Sequence, residues 1–246
     1  LRIALDSRPV NVETQYYRWN NYIPAHPQNR ITLANAFYNQ GQYTAAIIQL
    51  KKVSEQTSLT EKQLLVLGDS LINVELYREA LETMNRVLKL NPENREAIIG
   101  KAESLYLLNR FLELKEFLSE YIRLCEESSV LCNLLGNAHY ALGNWRGAAD
   151  AYEQAVQRDA GMPLYLVNAA RSYERIDDPD KALDYYVRAS RILFRQEAYD
   201  DLAGVIPRIE ELDSGNSEAK KKKKKMLFHE GSFDEAEALF EKLIEL

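Results

Sequence analysis

The sequence predicts an all-α fold built as a stack of antiparallel helix hairpins. Three observations predict it: a 34-residue period in the small residues, helical spacing of the apolar residues, and a turn signal inside each period. The chain has 246 residues, of which 46% are hydrophobic and 28% are charged, which is the composition of a folded globular protein. No stretch approaches the roughly 18 consecutive apolar residues of a membrane-spanning helix.

Alanines mark the period. They are separated by 34, 68 and 34 residues, with Leu114 in the remaining slot: Ala46, Ala80, Ala148 and Ala182. A column of bulky residues follows in the same register: Leu50, Met84, Leu118, Tyr152 and Tyr186. Two helices approach closely only where one offers Gly or Ala, so a bulky residue opposite fills the space that is left.

The period defines five frames of two amphipathic helices each. They begin at Pro27, Glu61, Arg95, Ser129 and Pro163. Gly or polar turns separate the two helices, for example at residues 39–41, 142–144 and 177–179. Because a single hairpin buries too little apolar surface to be stable alone, the hairpins are expected to stack.

We predict three parts along the chain. Residues 1–196 form the repeat array, with a partial first hairpin at residues 1–24 and five repeats from residue 27. Residues 197–216 form an extra helix and a linker, where Pro207 predicts a kink or an early break. Residues 217–246 form a C-terminal hairpin with a lysine run. The chain begins at Leu1 without an initiator Met or a signal peptide, so we expect a segment before it.

Lys220 to Lys225 form an unbroken run of six lysines. The net charge is −6, and without the run 25 basic and 37 acidic side chains leave −12, a charge that repels nucleic acid and anionic membranes. Lys220, Lys223 and Lys224 fall on columns that are apolar or small elsewhere, and burying unpaired ammonium groups is too costly. Three interpretations stay open: an exposed, loosely held helix or tail; a basic docking patch for nucleic acid, lipid or an acidic partner; or a stretch foreign to the natural sequence.

Residues 136–155 read Gly-Asn-Ala-His-Tyr-Ala-Leu-Gly-Asn-Trp-Arg-Gly-Ala-Ala-Asp-Ala-Tyr-Glu-Gln-Ala. This segment resembles the consensus hairpin of the tetratricopeptide repeat family, and the resemblance extends over nearly the whole chain. It is weakest from Glu197 to Asp213. Lys101 and Leu114 depart from the pattern, which predicts looser packing in the third frame. The resemblance implies a right-handed superhelical solenoid whose first helices line a concave groove.

The resemblance also implies which first-helix residues face the groove and bind a peptide there. They are Asn35, Tyr38, Asp69, Glu103, Tyr106, Asn133, Asn137, Tyr140, Asn168 and Arg171. Asn side chains can hold a peptide backbone through both donor and acceptor, and tyrosines add flat apolar area. Alternatively, the tyrosines fill contacts between adjacent first helices. Some family members clamp a chaperone's terminal carboxylate with paired Lys and Asn, but the matching slots hold Ile31, Asn35, Ile99 and Glu103.

Catalytic and metal-binding patterns are missing from the sequence. His26, His139 and His229 lie in different frames, so no zinc site is expected, and His139 is interpreted as a hydrogen-bonded core residue. Cys125 and Cys132 are interpreted as two free thiols. No phosphate-binding Gly-rich loop, nucleophile elbow or metalloprotease helix occurs. We therefore expect neither an enzyme nor a cofactor.

The favoured hypothesis is a non-catalytic scaffold or adaptor that binds a peptide or a partner helix in the concave groove. An alternative is a regulatory or substrate-binding arm of a larger enzyme, with the catalytic part outside this chain. Nucleic-acid binding through the lysines is a third hypothesis, which the acidic body disfavours. A second copy of the chain is a further candidate partner, because terminal hairpins with an uncovered apolar face can pair.

Overall fold

The computed structural model describes residues 26–229, which consist of helices and their connecting turns without any strand. The chain divides into two compact units, with the boundary between Leu108 and Asn109. The predicted all-α class of antiparallel helix hairpins is confirmed. The predicted hairpin at residues 1–24 and the second helix of the C-terminal hairpin lie outside the described residues. The terminal hairpin faces that are predicted to pair two copies of the chain also lie outside the described residues. The division of the chain into three parts stays a prediction.

The first unit contains five helices: α1 (Pro27–Asn39), α2 (Tyr43–Ser54), α3 (Glu61–Asn73), α4 (Tyr77–Leu90) and α5 (Arg95–Leu107). The pairs α1–α2 and α3–α4 form hairpins, and α4 also packs on α5. The first helices of successive frames contact one another in the order α1, α3, α5. One continuous apolar core, which includes Leu50, Leu64 and Met84, runs through the unit.

The second unit contains eight helices within the described residues: α6 (Phe111–Glu120), α7 (Ile122–Glu127), α8 (Ser129–Ala141), α9 (Trp145–Arg158), α10 (Pro163–Arg175), α11 (Pro179–Arg195), α12 (Tyr199–Leu212) and α13 (Ser217–His229). The pairs α8–α9 and α10–α11 form hairpins, and α9 packs on α10. Beyond them, α12 packs on α11 and α13 packs on α12. The unit therefore continues the hairpin pattern and adds α12 to it.

The third frame differs from the prediction of two continuous helices. Its second half is broken, because α6 ends at Glu120 and α7 begins at Ile122. Tyr121, at the break, occupies the column that Val53 and Val87 fill with fully buried side chains. The larger tyrosine stays half-buried, with its ring 5.1 Å from that of Phe117. The unit boundary also falls in this frame, so α5 and α6 belong to different units.

Small residues bring the helices together as the columns predict. All four alanines of the repeat register are fully buried: Ala46, Ala80, Ala148 and Ala182. Met84 of α4 lies against two glycines, since a Cβ on Gly68 or Gly100 would lie 2.7 or 2.5 Å from its methyl carbon. Likewise, a Cβ on Gly136 would lie 2.5 Å from the ring of Tyr152. The helices therefore pack closely at these glycines, and at Gly136 the neighbour is a rigid ring rather than the end of a flexible side chain.

Within residues 26–229, six tight turns have a central residue in the left-handed region, with φ between 56° and 76°: Gly41, Glu75, Asn109, Gly143, Asp177 and Glu197. This conformation costs a residue with a side chain about 1–2 kcal/mol. The four turns without a central glycine are therefore less favourable by up to that amount. The turn at Glu197 joins α11 to α12. Since it repeats the conformation found inside the hairpins, α11 serves both as the second helix of one hairpin and as the first helix of the next.

Helix α12 continues through Pro207 to Leu212, so the early break predicted at Pro207 does not occur. A proline inside a helix costs about 3 kcal/mol. Against this cost, α12 buries four apolar side chains almost completely: Leu202, Val205, Ile206 and Ile209. Each is worth about 1.5–3 kcal/mol, so burial outweighs the proline and the helix stays intact.

The lysine run lies within α13 and is partly packed. Lys222 is buried, and its ammonium donates to Ser190 Oγ at 2.9 Å and to Glu218 at 2.7 Å. Lys223 donates to Glu210 at 2.8 Å and is half-buried, as is Lys220. Apolar residues of α13 on either side of the lysines, such as Ala219, are buried as well. Partners that the sequence pattern did not reveal thus compensate the buried charge.

Gly136→Ala tests how closely the helices must approach. It is expected to destabilise the fold by about 1–3 kcal/mol through overpacking, because the buried Tyr152 ring is also fixed by its hydroxyl, which donates to Asn137 at 2.7 Å. Urea unfolding followed by circular dichroism measures the loss.

Gly100→Ala is the matched control. Its new methyl meets the end of the flexible Met84 side chain, which can move away. The gain in helix propensity, about 1 kcal/mol, offsets the remaining strain, so little change is expected. Equal losses in the two variants would contradict the packing described here.

Candidate functional site

In the first unit, the predicted ladder brings together three residues from neighbouring first helices. The hydroxyl of Tyr38 on α1 donates to Asp69 Oδ2 on α3 at 2.8 Å. Burial and, to a smaller extent, this hydrogen bond raise the pKa of Tyr38 to about 12. Burial also raises the pKa of Glu103 on α5, and the charge of Asp69 adds to the effect. Two carboxylates therefore share the face of α3 and α5, where they would favour a basic group on a ligand.

In the second unit, the side chains of three predicted asparagines form hydrogen bonds within the protein. Asn133 is buried, and its Oδ1 accepts from Asn168 Nδ2 at 2.9 Å, which links α8 to α10. Asn137 Oδ1 accepts from the Tyr152 hydroxyl. These bonds order the first helices, and a ligand would have to use the remaining donors and acceptors of each amide.

A cleft of about 950 Å³ opens in the second unit between α8, α10, α11 and α12. Tyr140 and Arg171, both predicted, line it, and Met162 and Leu164 also line it with 41% and 53% of their surfaces exposed. Such a volume holds several side chains, and exposed apolar residues at its wall offer anchors for them.

The walls of the cleft carry opposite charges. Arg171 and Arg175 lie on α10, and the Arg175 guanidinium lies 4.4 Å from the centre of the Trp145 ring. The first turn of α12 contributes Asp200 and Asp201, both exposed. A ligand with both positive and negative groups would complement this arrangement.

One carboxylate ties three of the four helices of the cleft together. Glu174 on α10 accepts from the Tyr186 hydroxyl at 3.0 Å and from Arg208 Nε at 3.1 Å, and Arg208 also pairs with Glu211. Burial and, to a smaller extent, the charge of Glu174 raise the pKa of Tyr186 to about 12. Because the network joins α10, α11 and α12, it fixes the positions of the cleft walls before any ligand binds.

The predicted residues thus fall into separate groups. Tyr38, Asp69 and Glu103 lie together in the first unit, whereas Tyr140 and Arg171 share the cleft of the second. Asn35 and Tyr106 are exposed. All ten assignments stay predictions.

Sequence reasoning missed the α12 wall of the cleft, with Asp200, Asp201, Gly204 and Arg208. The available signal was Gly204 inside an otherwise apolar helical pattern, because a glycine there indicates open space or a close approach. A Cβ on Gly204 would meet no atom within 4 Å, so the space is open.

The residues considered for chemistry have ordinary roles. Cys125 and Cys132 are buried free thiols, as predicted, and Cys132 Sγ donates to the Cys125 carbonyl at 2.6 Å. His139 is half-buried with its Nδ1 3.1 Å from Asn144 Nδ2, and burial lowers its pKa.

Across residues 26–229, no three His, Cys, Asp or Glu side chains are grouped to hold a metal ion. No helix in this range is long and apolar enough to cross a membrane.

Comparison with known families agrees with the repeat architecture. A family model described as tetratricopeptide repeat matches residues 65–123 and 133–198, just over half of the chain. The chain belongs to the tetratricopeptide repeat family. A second model, described as anaphase-promoting complex, cyclosome, subunit 3, matches residues 15–87. The family resemblance predicted from the sequence is therefore confirmed.

Two relatives are longer than this chain. A TPR repeat-containing protein of Treponema pallidum (strain Nichols) is 27% identical over 240 residues, which are 98% of this chain and 30% of the relative. A DnaJ homolog subfamily C member 7 homolog of Dictyostelium discoideum is 24% identical over 205 residues, which are 71% of this chain and 38% of the relative. The chain thus spans about a third of the length of the curated relatives it matches.

Solved structures share the fold. MamA 41-end from Desulfovibrio magneticus RS-1 matches with a TM-score of 0.64 at 19% identity, covering 71% of this chain and 98% of that one. YrrB, described as a TPR protein with an unusual peptide-binding site, matches with a TM-score of 0.58 at 19% identity, covering 74% of this chain and 92% of that one. At this level of identity, the likeness establishes the fold alone.

Glu103→Gln is expected to stabilise the protein at pH 7, with a rise in melting temperature on the order of 2 °C. The folded-state pKa of Glu103 is raised, so above it the ionised carboxylate opposes folding. As the pH falls towards the folded pKa, Glu103 becomes protonated and the difference between the variants should shrink. Thermal unfolding monitored at a series of pH values measures both effects.

The control is Glu82→Gln, which removes an exposed carboxylate from the middle of the neighbouring helix α4. It should change the melting temperature little at any pH. If Glu103→Gln lowered the melting temperature at pH 7, the carboxylate would be stabilising the fold rather than opposing it.

Proposed function

We propose that this chain is a non-catalytic protein-interaction module that holds an extended peptide or a partner helix in the cleft between α8, α10, α11 and α12. The observation that carries the proposal is the open cleft of about 950 Å³ with exposed apolar residues and oppositely charged walls. Family membership supports an interaction role, and YrrB, which has the same fold, is described as having a peptide-binding site.

The chemistry of the cleft suits a peptide. Met162 and Leu164 offer apolar anchor positions, while Tyr140 adds a rigid aromatic surface with a polar tip. Arg171 and Asp200, on different helices, can each meet a ligand group of opposite charge. The network around Glu174 holds the cleft open, so less ordering cost accompanies binding.

The Glu103–Asp69 face of the first unit is a second contact surface for the same partner or for another. Glu103 is held in a setting that raises its pKa, an arrangement that costs stability at neutral pH. A basic side chain of a partner would remove that cost by pairing with the carboxylate. The sequence-based alternative, a regulatory or substrate-binding arm of a larger enzyme, stays a prediction and would use the same surfaces.

Gly204→Trp tests the cleft directly. Because a Cβ at this position meets no atom within 4 Å, the indole should enter the cleft without displacing the core. The substitution also gains some helix propensity, a few tenths of a kcal/mol, so folding should be preserved. Peptides are first selected from a randomised library on the immobilised wild-type protein, then labelled with fluorescein and titrated by fluorescence anisotropy.

We expect Gly204→Trp to weaken the selected peptides at least about 10-fold, equivalent to 1.4 kcal/mol. Gly204→Ala is the matched control, because its small methyl leaves the cleft open and binding should stay close to wild type. Undiminished binding to Gly204→Trp would show that the peptides occupy a different surface.

A further inference from the structure

A second pocket, of about 620 Å³, lies between α11 and α13. It is lined by five cationic side chains, one carboxylate and one aromatic ring. The cations are Arg191 and Arg195 from α11 and Lys221, Lys222 and Lys225 from α13. The α11 residues that line the peptide cleft, Tyr186 and Leu193, do not line this pocket.

One end of the pocket is neutralised within the protein. Glu218 accepts from Arg191 at 2.8 and 2.9 Å and from Lys222 at 2.7 Å, and the Lys222 side chain is only 8% exposed. The hydrogen bonds from Arg191 and, to a smaller extent, those from Lys222 lower the pKa of Glu218 to about 2. Glu218 therefore stays ionised at neutral pH, and this end is a structural joint between α11 and α13.

The other end keeps an excess of positive charge. Arg195 reaches it from α11, and Lys221 and Lys225 lie one turn apart on α13. Among residues 26–229, none of these three cations forms an ion pair with a carboxylate. Like charges at this helical spacing destabilise a helix by about 0.2–0.5 kcal/mol. The Lys221–Lys225 pair is thus held together at a small cost, which a bound anion would remove.

An aromatic ring forms part of the same end. Lys225 Nζ lies 5.3 Å from the centre of the Phe194 ring, so the ring positions the ammonium group and leaves apolar surface beside it. The pocket therefore offers an apolar contact next to its cations. This combination suits a ligand in which acidic and apolar groups alternate.

The charge of the whole chain argues against a long polyanion. Its net charge is −6, and outside the lysine run it carries 25 basic and 37 acidic side chains. Charges are screened over about 8–10 Å at physiological salt, so a short acidic segment would experience mainly the pocket. A longer nucleic acid would extend over the acidic remainder of the surface.

We propose that the pocket between α11 and α13 binds a short acidic segment of a partner protein. Arg195, Lys221 and Lys225 hold the carboxylates of that segment, and Phe194 contacts an apolar side chain beside them. The proposal is independent of the peptide cleft, because the two sites present different faces of α11.

The probe is a short fluorescein-labelled peptide of repeated Glu-Glu-Leu, titrated by fluorescence anisotropy. A peptide of repeated Gln-Gln-Leu tests the need for charge, and an oligo-dT of similar length tests the nucleic-acid alternative. The variant is Arg195→Gln with Lys225→Gln. Its matched control is Arg123→Gln with Arg146→Gln, which removes two exposed cations outside the pocket and changes the net charge equally.

We expect the Glu-Glu-Leu peptide to bind the wild type and to weaken as salt is raised, and the Gln-Gln-Leu peptide not to bind. The pocket variant should lose about 10-fold or more in affinity, and the control variant less than about 2-fold. The pocket variant should also melt close to the wild-type temperature, because the relief of like-charge repulsion is offset by the lost contact of Lys225 with the Phe194 ring and by the lost cation in the last turn of α11. Lys221→Gln, at an exposed position, provides a second variant with the same expected loss.

Three outcomes would overturn the proposal. One is equal weakening by the pocket and control variants, which would mean that overall charge drives binding. Another is oligo-dT binding that is tighter than peptide binding and sensitive to the pocket variant, which would make the pocket a nucleic-acid site. The third is the lack of measurable binding by the Glu-Glu-Leu peptide at low salt.

Discussion

The close approach of helices at small residues is the constraint on which the other features depend. Met84 fits against Gly68 and Gly100, and Tyr152 fits against Gly136, so large side chains on one helix fill the space that the glycines of its neighbours leave. Since protein interiors are packed to the density of organic crystals, such contacts fix the spacing of successive helices. That spacing sets where Tyr38, Asp69 and Glu103 meet in the first unit. In the second unit it sets the distance between Asn133 and Asn168.

The dual role of α11 explains why the second unit has a cleft. In a simple array, a second helix is followed by the first helix of a new hairpin. Here, the left-handed turn at Glu197 joins α11 to α12 in the way that turns inside the hairpins join their two helices. Helix α12 then forms a wall of the cleft, opposite the exposed side chains of α10. The bonds between Glu174, Tyr186 and Arg208 secure this arrangement. A change in the order of helices has therefore produced a binding surface without any new type of structural element.

Much of the fold could be predicted because packing leaves a periodic record in the sequence. The buried alanine and bulky columns are residues whose size is dictated by a neighbour one helix away, and such constraints recur every 34 residues. The break at Tyr121 was not predicted, because it depends on how much room one side chain finds in three dimensions. The continuation of α12 through Pro207 likewise depends on the apolar burial around it, which local propensity does not contain.

The candidate sites were less predictable, because their chemistry depends on partners far apart in the chain. Lys222 is stabilised by Ser190 and Glu218, and no spacing rule links those positions. The family resemblance predicted that Tyr140 and Arg171 face the groove, yet the wall opposite them comes from the weakest part of that resemblance. Family patterns describe what the repeats share, whereas the cleft and the basic pocket arise where this chain departs from them.

Met84 also gives the first unit a chemical vulnerability. The residue is 2% exposed and its thioether lies close to Gly68 and Gly100, so peroxide can reach the sulfur only when the helices separate. Sulfoxide formation would then add a polar oxygen to a side chain that is buried in the apolar core of the first unit. The unpaired oxygen would disfavour reburial of the side chain between α3, α4 and α5 until a reductase removed it. A transient opening of the hairpins would in this way become a lasting change in the protein.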